Sequence, residues 1–186
     1  MPIAPPTNPT KVVLKNKLVF AAITMLLTGC AHLGGGHHPV AIAKLEATKG
    51  NSVSGTVKFT QMGDKVRVDA NVSGLKPNAE HGFHIHDKGD CSSGDGMSTG
   101  GHFNPLGKPH GRHMAMDRHA GDLPALRADA AGNAQMTATL DVITVAPGAT
   151  SVIGRGMIVH RDPDDYTTQP TGNAGPRLAC AVIQPS

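Results

Sequence analysis

The chain has no tryptophan, one tyrosine and four phenylalanines among its 186 residues. Aromatic stacking therefore cannot dominate its core or its ligand chemistry, and valine, isoleucine, leucine and alanine must fill the interior. Helical periodicity is missing outside the first thirty residues, which argues against a helical bundle or an α/β layer arrangement. No apolar run exceeds about ten residues, so none is long enough to span a bilayer. Charge of one sign is missing as well. The formal total is +3, but Lys11, Lys15 and Lys17 all lie near the N-terminus, and the remainder of the chain is neutral. No basic stripe remains to bind nucleic acid.

The first segment explains its own lysines. A positive region is followed by the apolar stretch Leu18 to Leu27 and then by Leu27-Thr28-Gly29-Cys30, the arrangement of an export signal. Its last four residues resemble a bacterial lipobox, which would leave Cys30 as the first mature residue with lipid on its sulfur; ordinary secretion with cleavage nearby is the alternative. The expected organisation is a lipoprotein signal peptide over 1–30, a flexible Gly- and His-rich tether over 31–40 and one domain over 41–186. His32, His37 and His38 read as spacer residues rather than as a loose copper site. The expected localisation is periplasmic, with the membrane reached only through the N-terminal lipid.

Eleven histidines are present, and six of them with one aspartate form a pattern that reads as a two-metal site. His84 and His86 stand two apart in Gly82-Phe83-His84-Ile85-His86. On a β-strand they point to one face and can hold one ion together. His102, His110, His119 and Asp122 come next through Gly-, Pro- and Asp-rich sequence, as in a loop wrapped around an ion, and His160 ends an apolar run. Many imidazoles with one carboxylate and no sulfur suit copper and zinc rather than calcium or magnesium.

Short strands with turn signals occupy the rest. Val53 to Gln61 and Lys65 to Val72 alternate around Met62-Gly63-Asp64 and predict a hairpin. Glu80 to Asp87, Ala134 to Val142, Ser151 to His160 and Arg177 to Gln184 are further strand candidates. Two long segments, Asp87 to Ala128 and Arg161 to Pro176, lack strand character, and loops of that length in a compact domain are usually functional. The expectation is an all-β sandwich or barrel.

Gly82-Phe83-His84-Ile85-His86, His102-Phe103-Asn104-Pro105, Arg118-His119-Ala120-Gly121-Asp122-Leu123 and the run from Thr171 to Cys180 resemble, in order, motifs of the copper,zinc superoxide dismutase family. The resemblance covers about Ala41 to Gln184. It implies an eight-stranded Greek-key barrel and one copper and one zinc per subunit. Copper would be held by His84, His86, His102 and His160, and zinc by His102, His110, His119 and Asp122, with His102 bridging. It also implies a Cys91 to Cys180 disulfide, Arg177 as the guanidinium that positions superoxide, and Asp164 as a carboxylate between His84 and His110, with Asp162 and Asp165 as neighbouring rivals. A homodimer is among the assemblies it allows. His81 matches a position inside the barrel, whereas His113 has no role in the family and reads as an exposed loop residue or a competitor for zinc. Two departures stand out. Thr167 to Gly175 carries no charge, so attraction of an anion must rest on Arg177, copper and Lys88 or Lys108. His110-Gly111-Arg112-His113 differs from the family's His-Gly-Gly-Pro at the start of the zinc loop.

Overall fold

The computed structural model describes Met1–Ala4 and His38–Ser186. Residues 5–37, which hold most of the expected export signal together with Cys30, His32 and His37, lie outside the described residues. The chain divides into units 1–35 and 36–186, and the second carries every element below.

Ten strands are formed in this unit, all antiparallel: β1 Val40–Ala47, β2 Ser54–Met62, β3 Lys65–Ser73, β4 Glu80–His81, β5 Phe83–His86, β6 Leu126–Arg127, β7 Ala134–Leu140, β8 Gly156–His160, β9 Arg177–Val182 and β10 Gln184–Pro185. One eight-stranded sheet runs β5-β8-β9-β1-β2-β3-β7, with β10 paired to β1. The edges, β5 and β7, are linked by a second ladder, because β4 leads into β5, β6 precedes β7, and β4 pairs with β6. The predicted all-β fold with eight strands in its principal sheet is thus present, and the crossings from β3 to β4 and from β7 to β8 make it a Greek key.

Alternation explains which strands form and which face turns inward. In β2 and β3, Val57, Phe59, Val66, Val68, Ala70 and Val72 are buried while their neighbours are more exposed. The hairpin between them turns on Gly63, whose positive φ of 64° suits a residue without a Cβ. Aromatics are few, yet Phe59, Phe83 and Phe103 are all among the largest fully buried side chains. Each contributes about 1.5–3 kcal/mol relative to exposure.

Three strand expectations are corrected. Glu80 to Asp87 is not one strand, because the chain changes ladder at Gly82, whose N–H donates to Asp162 and whose carbonyl accepts from His160. Ser151 to Arg155 is turn rather than strand, with Gly154 at φ 75° and only Ser151 bridged to Thr144. The segment from Asp87 to Ala128 holds the short strand β6 and a 3-10 turn at Met97–Thr99. The pattern does not single out β1, because alanine supplies two of its three inward positions, Ala41 and Ala43 beside Leu45.

Candidate metal centre

β5 is an edge strand, and an uncovered edge would leave a row of unpaired backbone groups. The long loop after it supplies their partners. Ile85 N–H donates to Gly121 (3.0 Å), Phe103 N–H to Ile85 (2.8 Å) and Asp87 N–H to Gly101 (2.9 Å). Isolated bridges pair His84 with Asp122 and His86 with His102. Backbone pairing therefore brings residues 102 and 122 beside 84 and 86. Phe83 and Ile85 face the core, while His84 and His86 face the loop; all four are buried. His160 arrives at the end of β8, the strand paired with β5.

Two ligand groups result. His84, His86, His102 and His160 present ligand atoms all within 4.8 Å of one another, as do His102, His110, His119 and Asp122, and every one of these residues is buried. His102 belongs to both. In the first group each imidazole has one nitrogen at an acceptor of the protein: His84 Nε2 at Asp164 (2.7 Å), His86 Nδ1 at the Gly100 carbonyl (2.8 Å), His160 Nδ1 at the Gly175 carbonyl (3.1 Å) and His102 Nδ1 at Asp122 of the second group (2.9 Å). That leaves Nδ1 of His84 and Nε2 of His86 and His160 facing inward. In the second group, Asp122 Oδ1 lies 2.9 Å from His102 Nδ1, 3.0 Å from His110 Nδ1 and 3.6 Å from His119 Nδ1. Its other oxygen accepts from the backbone N–H groups of Gly111 (3.1 Å) and His119 (2.9 Å).

Does this donor set fit metal ions? Nδ1 of His84, Nε2 of His102 and Nδ1 of His119 are buried with no hydrogen-bond partner in the protein. An unsatisfied buried polar group costs about 1–3 kcal/mol, which a coordinated ion removes. Three imidazoles and a carboxylate suit zinc, and four imidazoles suit copper. Both groups fit.

Electrostatics agree with neutral ligands on the copper side. Burial, followed by the charges of neighbouring histidines, lowers the pKa of His86 well below its ordinary value. The same causes bring His102 to about 4 and His160 to about 3. Neutral imidazole is the ligating form. Burial opposes charge on His110 too, but the Asp122 and Asp164 carboxylates outweigh it and raise its pKa to about 9. Burial would raise the pKa of Asp122, yet hydrogen bonds with His102, His110 and His119 hold it far below the usual carboxylate range.

Around the ligands, Asp164 is placed between His84 and His110, with Oδ2 and Oδ1 at 2.7 and 2.8 Å from their Nε2 atoms. Its rivals face elsewhere: Asp162 pairs with Arg161, and Asp165 accepts from Thr167 and Thr168. Gly172 packs against this bridge so closely that a Cβ there would overlap Asp164 and His110 Nε2. Arg177 opens β9, and its guanidinium donates to the Gly96 carbonyl, Thr99 Oγ1 (2.8 Å) and the Gly100 carbonyl (2.7 Å). The loop holding those acceptors is tied to β9 by the Cys91–Cys180 disulfide.

His81 stays outside both groups, fully buried, with Nδ1 2.9 Å from the His160 carbonyl. His113 also stays outside them, half-buried in the turn that starts at Arg112. The altered start of the zinc loop still delivers the Gly111 N–H to Asp122, and Arg112 stacks on the Tyr166 ring at 4.2 Å. Three further residues support the site in ways that the sequence reading does not assign. Gln169 clamps the His110 backbone from both sides, accepting from its N–H (2.8 Å) and donating to its carbonyl (2.9 Å). Arg118, buried beside His119, joins the Ala115 carbonyl to Asp141. Thr99 is the third. Each has a partner distant in sequence, Gln169 at His110, Arg118 at Asp141 and Thr99 at Arg177, that short-range pattern does not reveal.

Comparison with known proteins gives the same picture. The clock protein EA4 is 40% identical over 82% of this chain and 98% of its own, with a TM-score of 0.72. A double mutant of a SOD-like protein from Bacillus subtilis is 35% identical over 77% of this chain and 96% of its own, with a TM-score of 0.70. The model of the copper/zinc superoxide dismutase family matches residues 53–183. That span includes every strand and loop that brings a ligand to the centre, and the chain belongs to the copper/zinc superoxide dismutase family.

Proposed function

We propose that this protein is a superoxide dismutase, converting two superoxide anions and two protons into dioxygen and hydrogen peroxide. The observation that carries the reading is His102, with Nδ1 at Asp122 in one ligand group and a buried, unpartnered Nε2 for the other. Copper would be held by Nδ1 of His84 and Nε2 of His86, His102 and His160. Zinc would be held by Nδ1 of His102, His110 and His119 and by Oδ1 of Asp122. When bound, copper supplies one-electron exchange in both directions, and zinc supplies charge and shape without redox chemistry.

The chain's own residues do the rest. Arg177 attracts the small anion and orients it. His102 takes a proton at Nε2 between the two half-reactions and gives it to the second superoxide; water provides the other proton. Asp164 fixes the rings and tautomers of His84 and His110 by accepting from both, which keeps their Nδ1 atoms turned inward. Of the lysines weighed for attraction, Lys108 is paired with Asp117 at 2.9 Å, so Lys88 is the better second source of positive field.

A copper-binding protein of this fold without turnover is the rival reading. Retention of four copper-side histidines together with Arg177 supports the enzyme. The test is superoxide decay with the purified full-length chain at measured copper and zinc content. Copper-dependent acceleration is expected, and stoichiometric copper without acceleration would favour the rival. We also infer export to the periplasm with lipid on Cys30, supported by the sequence of the leader. Cys30→Ser should lose fatty-acid labelling and membrane association, and a mutant that keeps both would refute it.

A further inference from the structure

On the dismutase reading, the orientation of Arg177 matters as much as its charge. Two of the three acceptors of its guanidinium are backbone carbonyls that already serve other donors. Gly100 also accepts from His86 Nδ1. Gly96 also accepts from the N–H (3.2 Å) and the hydroxyl (2.8 Å) of Thr99. A carbonyl has two lone pairs, so the three donors at Gly96 share them, with Arg177 Nη1 making the shortest contact. Thr99 Oγ1 closes a triangle with that pair: it donates to Gly96 and accepts from Arg177 Nη1 at 2.8 Å.

Thr99 is itself held rigidly. Its side chain is fully buried, its carbonyl accepts from Lys88 N–H at 2.9 Å, and its methyl lies so close to Gly156 of β8 that a Cβ there would meet Cγ2 at 2.8 Å. All three acceptors of the guanidinium are neutral. Among the described residues no carboxylate forms an ion pair with Arg177, and Asp95 acts on it only at longer range. A carboxylate seat would cancel the charge that draws an anion; a hydroxyl seat orients the group and leaves the charge available.

We propose that Thr99 is a positioning residue, whose buried hydroxyl fixes the Arg177 guanidinium in the orientation that receives the anion. It touches neither metal group nor substrate and acts through the arginine.

The test compares Thr99→Val, which keeps the methyl against Gly156 and removes the hydroxyl, with Thr99→Ser, which does the reverse. In the full-length copper- and zinc-loaded protein, azide serves as the anionic probe and is read by the copper visible spectrum. The valine variant should bind azide about five- to tenfold more weakly and lose superoxide rate to a similar extent, the size expected for the net loss of one ordinary hydrogen bond. Serine should restore both. Introducing valine into an Arg177→Ile background should change azide affinity no further, since the partner is gone. In the zinc-only protein, 15N NMR should show slow rotation of the Arg177 Nη groups in wild type and Thr99→Ser and faster rotation in Thr99→Val. Wild-type azide affinity in the valine variant would overturn the proposal, as would an equal loss in the Arg177→Ile background or unchanged Nη rotation. If wild type shows the slow rotation and the azide dependence but no superoxide decay, the dismutase reading fails while the arginine's seat stands.

Discussion

Removing the disulfide by Cys91→Ala with Cys180→Ala should destabilise the metal-free protein by about 4.6 kcal/mol. The figure comes from the bonded residues' separation of 89 positions, entered in the chain-entropy expression for loop closure at room temperature. With a urea slope of about 2 kcal/mol/M for a domain of this size, the unfolding midpoint should fall by about 2 M. Metal-free protein is the right material, because an ion bound only by the folded state adds stability that depends on each form's own metal affinity and so mixes with the loop-closure effect. Alanine avoids leaving a buried hydroxyl at Cys180, which is 5% exposed. Activity should fall as well, for a separate reason: the loop tethered by Cys91 carries Gly96, Thr99 and Gly100, the acceptors of Arg177. Some order should persist there, because Lys49 N–H still donates to Gly94 at 2.8 Å and Lys88 N–H to Thr99 at 2.9 Å. A midpoint shift below about 0.5 M would refute the entropic reasoning, since it would mean that opening the loop gives the unfolded chain little new freedom.

The other substitutions separate the two ligand groups and the anion site. His86→Ala and His160→Ala should each abolish turnover while zinc content stays near that of wild type, because neither residue belongs to the second group; substantial activity in either would overturn the assignment. Asp122→Ala should lower both zinc stoichiometry and thermal stability, because its carboxylate joins three histidines and two backbone N–H groups; unchanged values for both would count against it. Arg177→Glu should slow catalysis more than Arg177→Ile, and wild-type rates should fall with salt as the screening length shortens to about 10 Å at 0.1 M. An isoleucine variant with the wild-type salt response would move the source of attraction to Lys88.

The metal site is legible in the sequence because most of it is local. His84 and His86 share a strand face by simple alternation, and the spacing from His102 to Asp122 is that of a wrapped loop. Contacts between distant segments are not legible in this way. Gly82 has the look of a residue within a strand, yet its hydrogen bonds to Asp162 and His160 move the chain from one ladder to another. Ser151 to Arg155 carries apolar residues suited to a strand, but Gly154 and Arg155 turn instead against Ile183. β1 is obscured by alanine, whose burial supplies too little contrast with its neighbours to mark a period of two. Thr99 and Gln169 reach partners 78 and 59 positions away. No local pattern distinguishes such a threonine or glutamine from any other loop residue.

His102 belongs to both ligand groups and makes them one centre. Placing cobalt(II) in the zinc group and copper(II) in the other, then recording the copper EPR spectrum, tests it directly. A shared imidazole carries exchange coupling between the two ions, so the copper signal should be strongly diminished relative to the copper,zinc form. An undiminished copper signal at full occupancy of both groups would show that His102 does not join them.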